Sequence, residues 1–189
     1  MGKQGKSGSD LGGRVARFSE LTTLDVQKQH DLPQDVADLI WSRKLMPVVT
    51  RAEDSFGPFG TKAPIKGAGD MSITYAVCPP GTGPSLHAHR ATFETFTVLK
   101  GRFRFFAGPK GDVTVDLDEC DALSVPPRIF RAFQNIGDGE GVLQVIITGG
   151  VHDVDDVYFP ADMARKVAAY GPHHLEYLKK TGMHFEEDG

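Results

Sequence analysis

Two histidines one residue apart, His87 and His89, are followed five positions later by Glu94 in the stretch GTGPSLHAHRATFETFTVLKG, which has Gly81 and Gly101 at its ends. Imidazole nitrogens and a carboxylate are ligands for divalent metals. Two histidines with one acidic residue form the facial set that suits non-haem Fe(II) and also serves Mn and Zn. Side chains alternate across a strand, so His87 and His89 emerge on one face about 7 Å apart along the backbone, close enough to converge on one ion. Glu94 shares its face with Phe96 and Val98, residues that a strand would bury. A carboxylate directed into such an interior needs a cation or a guanidinium to stay ionised. An HxH pair alone also occurs on exposed strands with no chemistry attached, so these three residues make a site only if the fold turns all of them inward.

The elements that could do this are short and β-prone. The runs 71–77, 85–90, 95–101, 102–108, 113–117, 122–126, 131–135 and 142–148 are separated by turn chemistry such as GPKGD and GDGEG. Many short strands with Gly/Pro turns and no helix between them predict an all-β core, an antiparallel sandwich or barrel. Helices flank it. LPQDVADLIWSRK (32–44) puts Val36, Leu39 and Ile40 on one helical face ahead of a strand at 45–51, and a glycine- and proline-rich loop spans 52–69. At the other end PADMARKVAAYG and PHHLEYLKKTG each begin with proline and finish with glycine, the usual asymmetry of a helix start and stop. Residues 1–13 are mostly Gly, Ser, Lys and Gln and are expected to be a disordered tail. The resulting division is 1–13 tail, 14–70 N-terminal helix and strand extension, 71–150 barrel and 151–189 C-terminal helical extension.

Bulk properties narrow the function. A chain of 189 residues with 40% hydrophobic and 24% charged residues suits one packed domain. The longest apolar runs, such as VLQVII, are strand-sized, so no membrane span is expected. Net charge is −4 with dispersed Lys and Arg, which gives no electrostatic footprint for nucleic acid and leaves a small molecule as the partner. Cys78 and Cys120 lie far apart without CxxC spacing, and the N-terminus has no apolar signal stretch, which points to a reducing, cytoplasmic setting.

The spacing Gly81, five residues, His87-Ala-His89, four residues, Glu94, six residues, Gly101 resembles the first signature motif of the cupins. The stretch CDALSVPPRIFRAFQN is similar to their second motif, with Pro126 and Asn135 in the expected places, and the resemblance spans about residues 70–150. It implies a jelly-roll β-barrel, often a homodimer, with a divalent metal inside. This chain departs from the pattern at three positions. Cys120 and Arg128 stand where the second motif has glycine, and Arg131 occupies the place of the last metal-binding histidine.

A guanidinium has no lone pair to give, so Arg131 cannot be a ligand. It could clamp a substrate carboxylate beside a metal held by His87, His89 and Glu94. It could instead pair with Glu94 and leave a metal-free, non-catalytic small-molecule-binding barrel, an outcome that repulsion between guanidinium and dication favours. Or it could point outward through a bulge. If position 131 faces inward, parity also directs Ile129 and Phe133 inward, giving with Phe96 and Val98 an apolar, partly aromatic pocket, and Tyr75 and Gln144 are further polar candidates for its wall.

The leading expectation is a metal-dependent enzyme acting on a small organic substrate, a carboxylate or an aromatic molecule. Its reaction class would be that of a non-haem Fe(II) dioxygenase-like oxidoreductase, with Mn, Ni or Zn as the other candidate ions and Arg131 as the catalytic clamp. Isomerase or lyase chemistry uses the same barrel. Other constellations are weaker. HDVDD at 152–156 lacks calcium-loop spacing and reads as a solvated acidic turn, and His173 and His174 read as surface histidines. No phosphate loop, nucleophile elbow or Cys-His arrangement is present.

Overall fold

The computed structural model describes residues 11–24, 27, 32–52, 62–150 and 156–187. The all-β core is as the turn chemistry predicts. Strands β1 (Lys44–Thr50), β2 (Ile65–Lys66), β3 (Met71–Cys78), β4 (Ala88–His89), β5 (Phe93–Lys100), β6 (Phe103–Ala107), β7 (Val113–Leu117), β8 (Ala122–Val125), β9 (Arg131–Asn135) and β10 (Gly141–Thr148) follow one another, and from β2 to β10 no helix lies between them among the described residues. Six of them form one sheet in the order β2-β1-β3-β10-β5-β8. Facing it is β7-β6-β9, and an antiparallel bridge between His87 and Arg131 links this sheet to a third, in the order β12-β11-β4. The last two members are β11 (Val157–Phe159) and β12 (His184–Phe185), which the sequence pattern did not predict.

Period-2 alternation sets what the barrel encloses. On β5, Glu94, Phe96 and Val98 are buried, whereas Phe93 and Leu99 are 45% exposed. Phe96 meets Phe105 and Phe133 at ring-centroid distances of 4.9 and 5.4 Å, and Phe103 lies 6.1 Å from Phe133. With Val98, Leu117, Leu143 and Val145 they fill one end of the barrel. Each such side chain contributes about 1.5–3 kcal/mol by leaving water, so this end holds the two layers together.

The extensions at the two chain ends share a core. Helix α1 (Gln34–Ile40) supplies Val36 and Ile40, and Trp41 follows it. Helix α2 (Ala161–Ala168) supplies Met163 and Val167, and α3 (Pro172–Lys180) supplies Leu178. These pack with Phe159 and Met183 in a single cluster. The N-terminal extension also enters the barrel sheet directly, because β1 pairs antiparallel with β3.

Several expectations need correction. The helix expected over 32–44 stops at Ile40, since Lys44 already pairs with Val77 in the sheet. The strand expected over 85–90 is reduced to Ala88–His89 plus the bridge at His87. Leu11–Arg14 forms an exposed 3-10 turn, so the tail expected over 1–13 does not extend that far; residues 1–10 lie outside the described residues, as do 53–61 of the expected loop. Cys120 and Arg128 adopt φ of 73° and 67°, the left-handed conformation that glycine takes most readily, so both turns keep a glycine-type geometry without glycine. Among the described residues no helix is long and apolar enough to cross a membrane.

Candidate metal centre

His87, His89 and Glu94 are all directed inward, with relative exposures of 8, 3 and 7%. One potential ligand atom from each lies within 4.8 Å of those of the other two. The chain turns back on itself between His89 and Glu94, and β5 then runs along β10, with Glu94 opposite Ile147 and Val125 on either side. The imidazoles sit on the other layer, where His87 exchanges two backbone hydrogen bonds with Arg131 at 3.0 and 2.9 Å. The carboxylate thus faces the histidines across the barrel rather than along one strand.

Each imidazole is oriented through Nδ1. In His87, Nδ1 lies 2.8 Å from the carbonyl oxygen of Ser85, an acceptor only, so Nδ1 carries the proton and Nε2 the lone pair. In His89, Nδ1 lies 2.8 Å from Thr92 Oγ1 and 2.9 Å from Asp156 Oδ2, and Nε2 stands 3.9 Å from Glu94 Oε2. Imidazoles that ligate metals characteristically donate their second N–H in this way to a carbonyl or carboxylate. Burial, assisted by the nearby Arg131 charge, lowers the His87 pKa to about 3, so this ring is neutral at pH 7 and its lone pair is available.

Arg131 faces inward at 1% exposure, which removes the outward-bulge alternative. Its Nε donates to Glu94 Oε2 at 2.9 Å, its Nη2 donates to the same oxygen, and its Nη1 reaches the His87 carbonyl at 3.3 Å. Burial works to raise the pKa of Glu94, but the guanidinium, helped by the two histidines, outweighs it and holds the carboxyl at about 2. Arg131 is absent from the wall of the cavity that holds the triad. The expected role as a substrate clamp is therefore corrected: Arg131 anchors and ionises Glu94 from behind.

The triad opens into a cavity of about 100 Å³ between the barrel mouth and the helical cap. Barrel residues Ala76, Phe133, Val145 and Ile147 line one side, and Ile40, Trp41, Phe159 and Met183 of the cap line the other. None of the described lining residues is Lys or Arg, and the lining side chains with polar atoms outside the triad are Ser42, Thr74 and Trp41. Of the pocket residues expected from sequence, Phe133 reaches this wall. Phe96 and Val98 face inward but belong to the packed end. Tyr75 and Gln144 pair across β3 and β10 on the opposite face from Ala76, where Tyr75 contacts Phe18 and the cluster of Met46, Val77 and Val142. They are not pocket residues. Ile129 is 41% exposed, because Arg128 in its left-handed turn breaks the alternation before β9 begins.

The sequence reading missed Asp156. Residues 152–155 of HDVDD lie outside the described residues, but Asp156 is 6% exposed and bonded to the site, not a solvated turn residue. Hydrogen bonds from His89, Thr92 and the Ala91 N–H overcome burial and depress its pKa strongly. His174, on α3, is likewise only 6% exposed, in contrast to the surface position expected.

Fold and site together define a double-layered β-barrel with a buried two-histidine, one-carboxylate cluster at its mouth. Residues 74–148 match the cupin domain family model, and this part of the chain is a cupin domain. No curated protein matches the chain in sequence. Among solved structures, it is similar to a conserved protein with a double-stranded β-helix domain from Klebsiella pneumoniae at 20% identity, over 43% of this chain and 69% of that one, with a TM-score of 0.40. It is similar to a predicted oxalate decarboxylase from Thermotoga maritima at 20% identity, over 42% and 66%, with a TM-score of 0.39. It is similar to the Schizosaccharomyces pombe Cnp3 cupin domain at 12% identity, over 61% and 72%, with a TM-score of 0.43. These likenesses say nothing about chemistry.

Proposed function

We propose that the chain is a metal-dependent enzyme in which His87, His89 and Glu94 hold a divalent ion and a small, mainly apolar organic molecule occupies the cavity beside it. The supporting observation is the donor set. Three buried ligand atoms lie within 4.8 Å, and both imidazoles are fixed through Nδ1 so that their Nε2 lone pairs serve the centre. Fe(II) is the favoured ion and oxygenase-type oxidation the favoured reaction class, with Mn, Ni or Zn the other ions the set accepts. A metal bound here would supply a Lewis-acidic centre with open positions for substrate.

The protein's own contribution is legible residue by residue. Arg131 keeps Glu94 ionised; burial keeps His87 neutral; and Trp41, Phe159 and Met183 shield the cavity from water. The apolar wall, with no Lys or Arg among its described residues, favours a substrate with an uncharged or aromatic body, since a carboxylate would find its counter-charge only at the metal. A homodimer in a reducing, cytoplasmic setting remains part of this proposal, and sedimentation of the purified chain tests the dimer.

One observation favours a second reading. Both bonds from Arg131 to Glu94 fall on Oε2, so the guanidinium already supplies a positive charge, as in a metal-free binding barrel. Elemental analysis after anaerobic loading with Fe(II) and desalting separates the two. Stoichiometric metal that His87→Ala loses supports the enzyme; metal no higher in the wild type than in His87→Ala leaves the binding barrel.

A further inference from the structure

His87 is oriented by a neighbour two residues away, but His89 is held both by Thr92 and by Asp156, a residue beyond the end of the matched segment 74–148. We propose that Asp156, acting with Thr92, is the positioning residue of His89: it fixes the ring proton on Nδ1, presents Nε2 to the metal, and so makes a residue outside the cupin domain part of the centre. The proposal deepens the metal reading and rests on it.

The hydrogen-bond directions lead to this assignment. Thr92 Oγ1 lies 2.5 Å from Asp156 Oδ2, and only the hydroxyl can donate there if the carboxylate is ionised. With its proton committed, Oγ1 can only accept from His89 Nδ1, 2.8 Å away. The second neighbour of Nδ1 is Asp156 Oδ2 itself, at 2.9 Å. Nδ1 is therefore surrounded by two acceptors and must carry the proton, which leaves the lone pair of a neutral ring on Nε2, facing Glu94.

Asp156 also fixes the chain between His89 and Glu94. Its Oδ1 accepts the Ala91 N–H at 2.8 Å, and its backbone carbonyl accepts the Arg90 N–H at 2.8 Å. Three consecutive residues, Arg90, Ala91 and Thr92, are thus held by one. The register follows from the next strand, since β11 pairs with β4 with Val157 opposite His89. That pairing brings Asp156 to the turn, and it brings Phe159 to within 5.9 Å of the His87 ring.

The experiment uses the full-length chain as wild type, Asp156→Asn, Thr92→Val and Thr92→Ser, with His87→Ala as the metal control. Long-range proton–nitrogen NMR of the metal-free protein reads the His89 tautomer, and titration with Mn(II) followed by EPR reads affinity. The wild type should show His89 protonated on Nδ1. Asp156→Asn sets an amide N–H against the ring or loses the Ala91 bond, so it should move the proton towards Nε2 and weaken Mn(II) binding by about 10–100-fold. Thr92→Val leaves the Asp156 carboxylate against Nδ1, so it should keep the ring proton on Nδ1 and weaken Mn(II) binding less than Asp156→Asn does, and Thr92→Ser, which keeps the hydroxyl, should remain close to wild type. If Asp156→Asn is unfolded by circular dichroism, Thr92→Val carries the test, because movement of the proton to Nε2 there would show that Thr92, not Asp156, sets the tautomer. That movement, or an unchanged tautomer and affinity in a folded Asp156→Asn with His87→Ala impaired, overturns this role alone. Equal Mn(II) binding by wild type and His87→Ala brings down the metal reading, and this role with it.

Discussion

Phe96 and Glu94 stand two residues apart on the same face of β5, yet they belong to opposite ends of the barrel. Around Phe96 the two layers meet in aromatic and aliphatic contacts with nothing left to ionise. Around Glu94 the same layers enclose a hollow lined by two imidazoles and a carboxylate, with the guanidinium of Arg131 behind the carboxylate and helices from both chain ends closing it. The closed end accounts for the fold and the open end for any chemistry. The lesson is that one alternating strand serves both purposes when its neighbours differ.

This contrast can be broken most forcefully at its two poles. Phe96→Ala and Arg131→Met should each cost about 3–5 kcal/mol in urea unfolding of the metal-free protein, the first by opening a cavity and the second by leaving Glu94 buried without its partner. Their causes separate on adding Mn(II). Measured against wild type at the same Mn(II) concentration, the deficit of Arg131→Met should shrink, because a cation again neutralises Glu94, and that of Phe96→Ala should stay the same, because its intact triad gains as much from the metal as the wild type does. Equal recovery in both, or in neither, would erase the distinction between the ends.

Acid should act most strongly on the open end. His87 has its pKa lowered from 6.5 to about 3, so the unfolded chain binds a proton that the folded one refuses, and stability falls as pH drops below about 6.5 towards 3. Glu94, lowered from 4.5 to about 2, adds a second loss with the same sign between those values. Urea midpoints measured against pH should decline in both windows, and His87→Gln should flatten the upper one. The smallest effects are expected on the outer face. Tyr75→Phe and Gln144→Ala should each change stability by less than about 0.5 kcal/mol and leave metal content untouched, as assayed by unfolding and elemental analysis.

Much of this was legible in the sequence, because the information was local. The spacing of His87, His89 and Glu94 follows from strand parity, and β7 and β9 begin and end where β-prone residues meet turn residues. The misses come from information that is not local. Tyr75 and Gln144 lie next to Ala76 and Val145, and parity cannot tell which of two adjacent residues faces in until the sheet's partner is known. Ile129 failed because extrapolation back from Arg131 crosses a left-handed residue. Asp156 sits 65 positions from Ala91, which its side chain holds, and its acidic neighbours gave it the look of a surface turn. The destination of the flanking helices was equally hidden, since an apolar helical face does not name the surface it will cover.

The left-handed turns at Cys120 and Arg128 offer an engineering reserve outside the pocket. Replacing either residue with glycine removes Cβ crowding of about 1–2 kcal/mol, set against about 0.5–1 kcal/mol of extra freedom in the unfolded chain. Cys120→Gly would bring a practical dividend as well. Cys120 is exposed, while the other thiol, Cys78, is buried and shifted by that burial to about 11, so the variant would resist air oxidation and covalent cross-linking on storage.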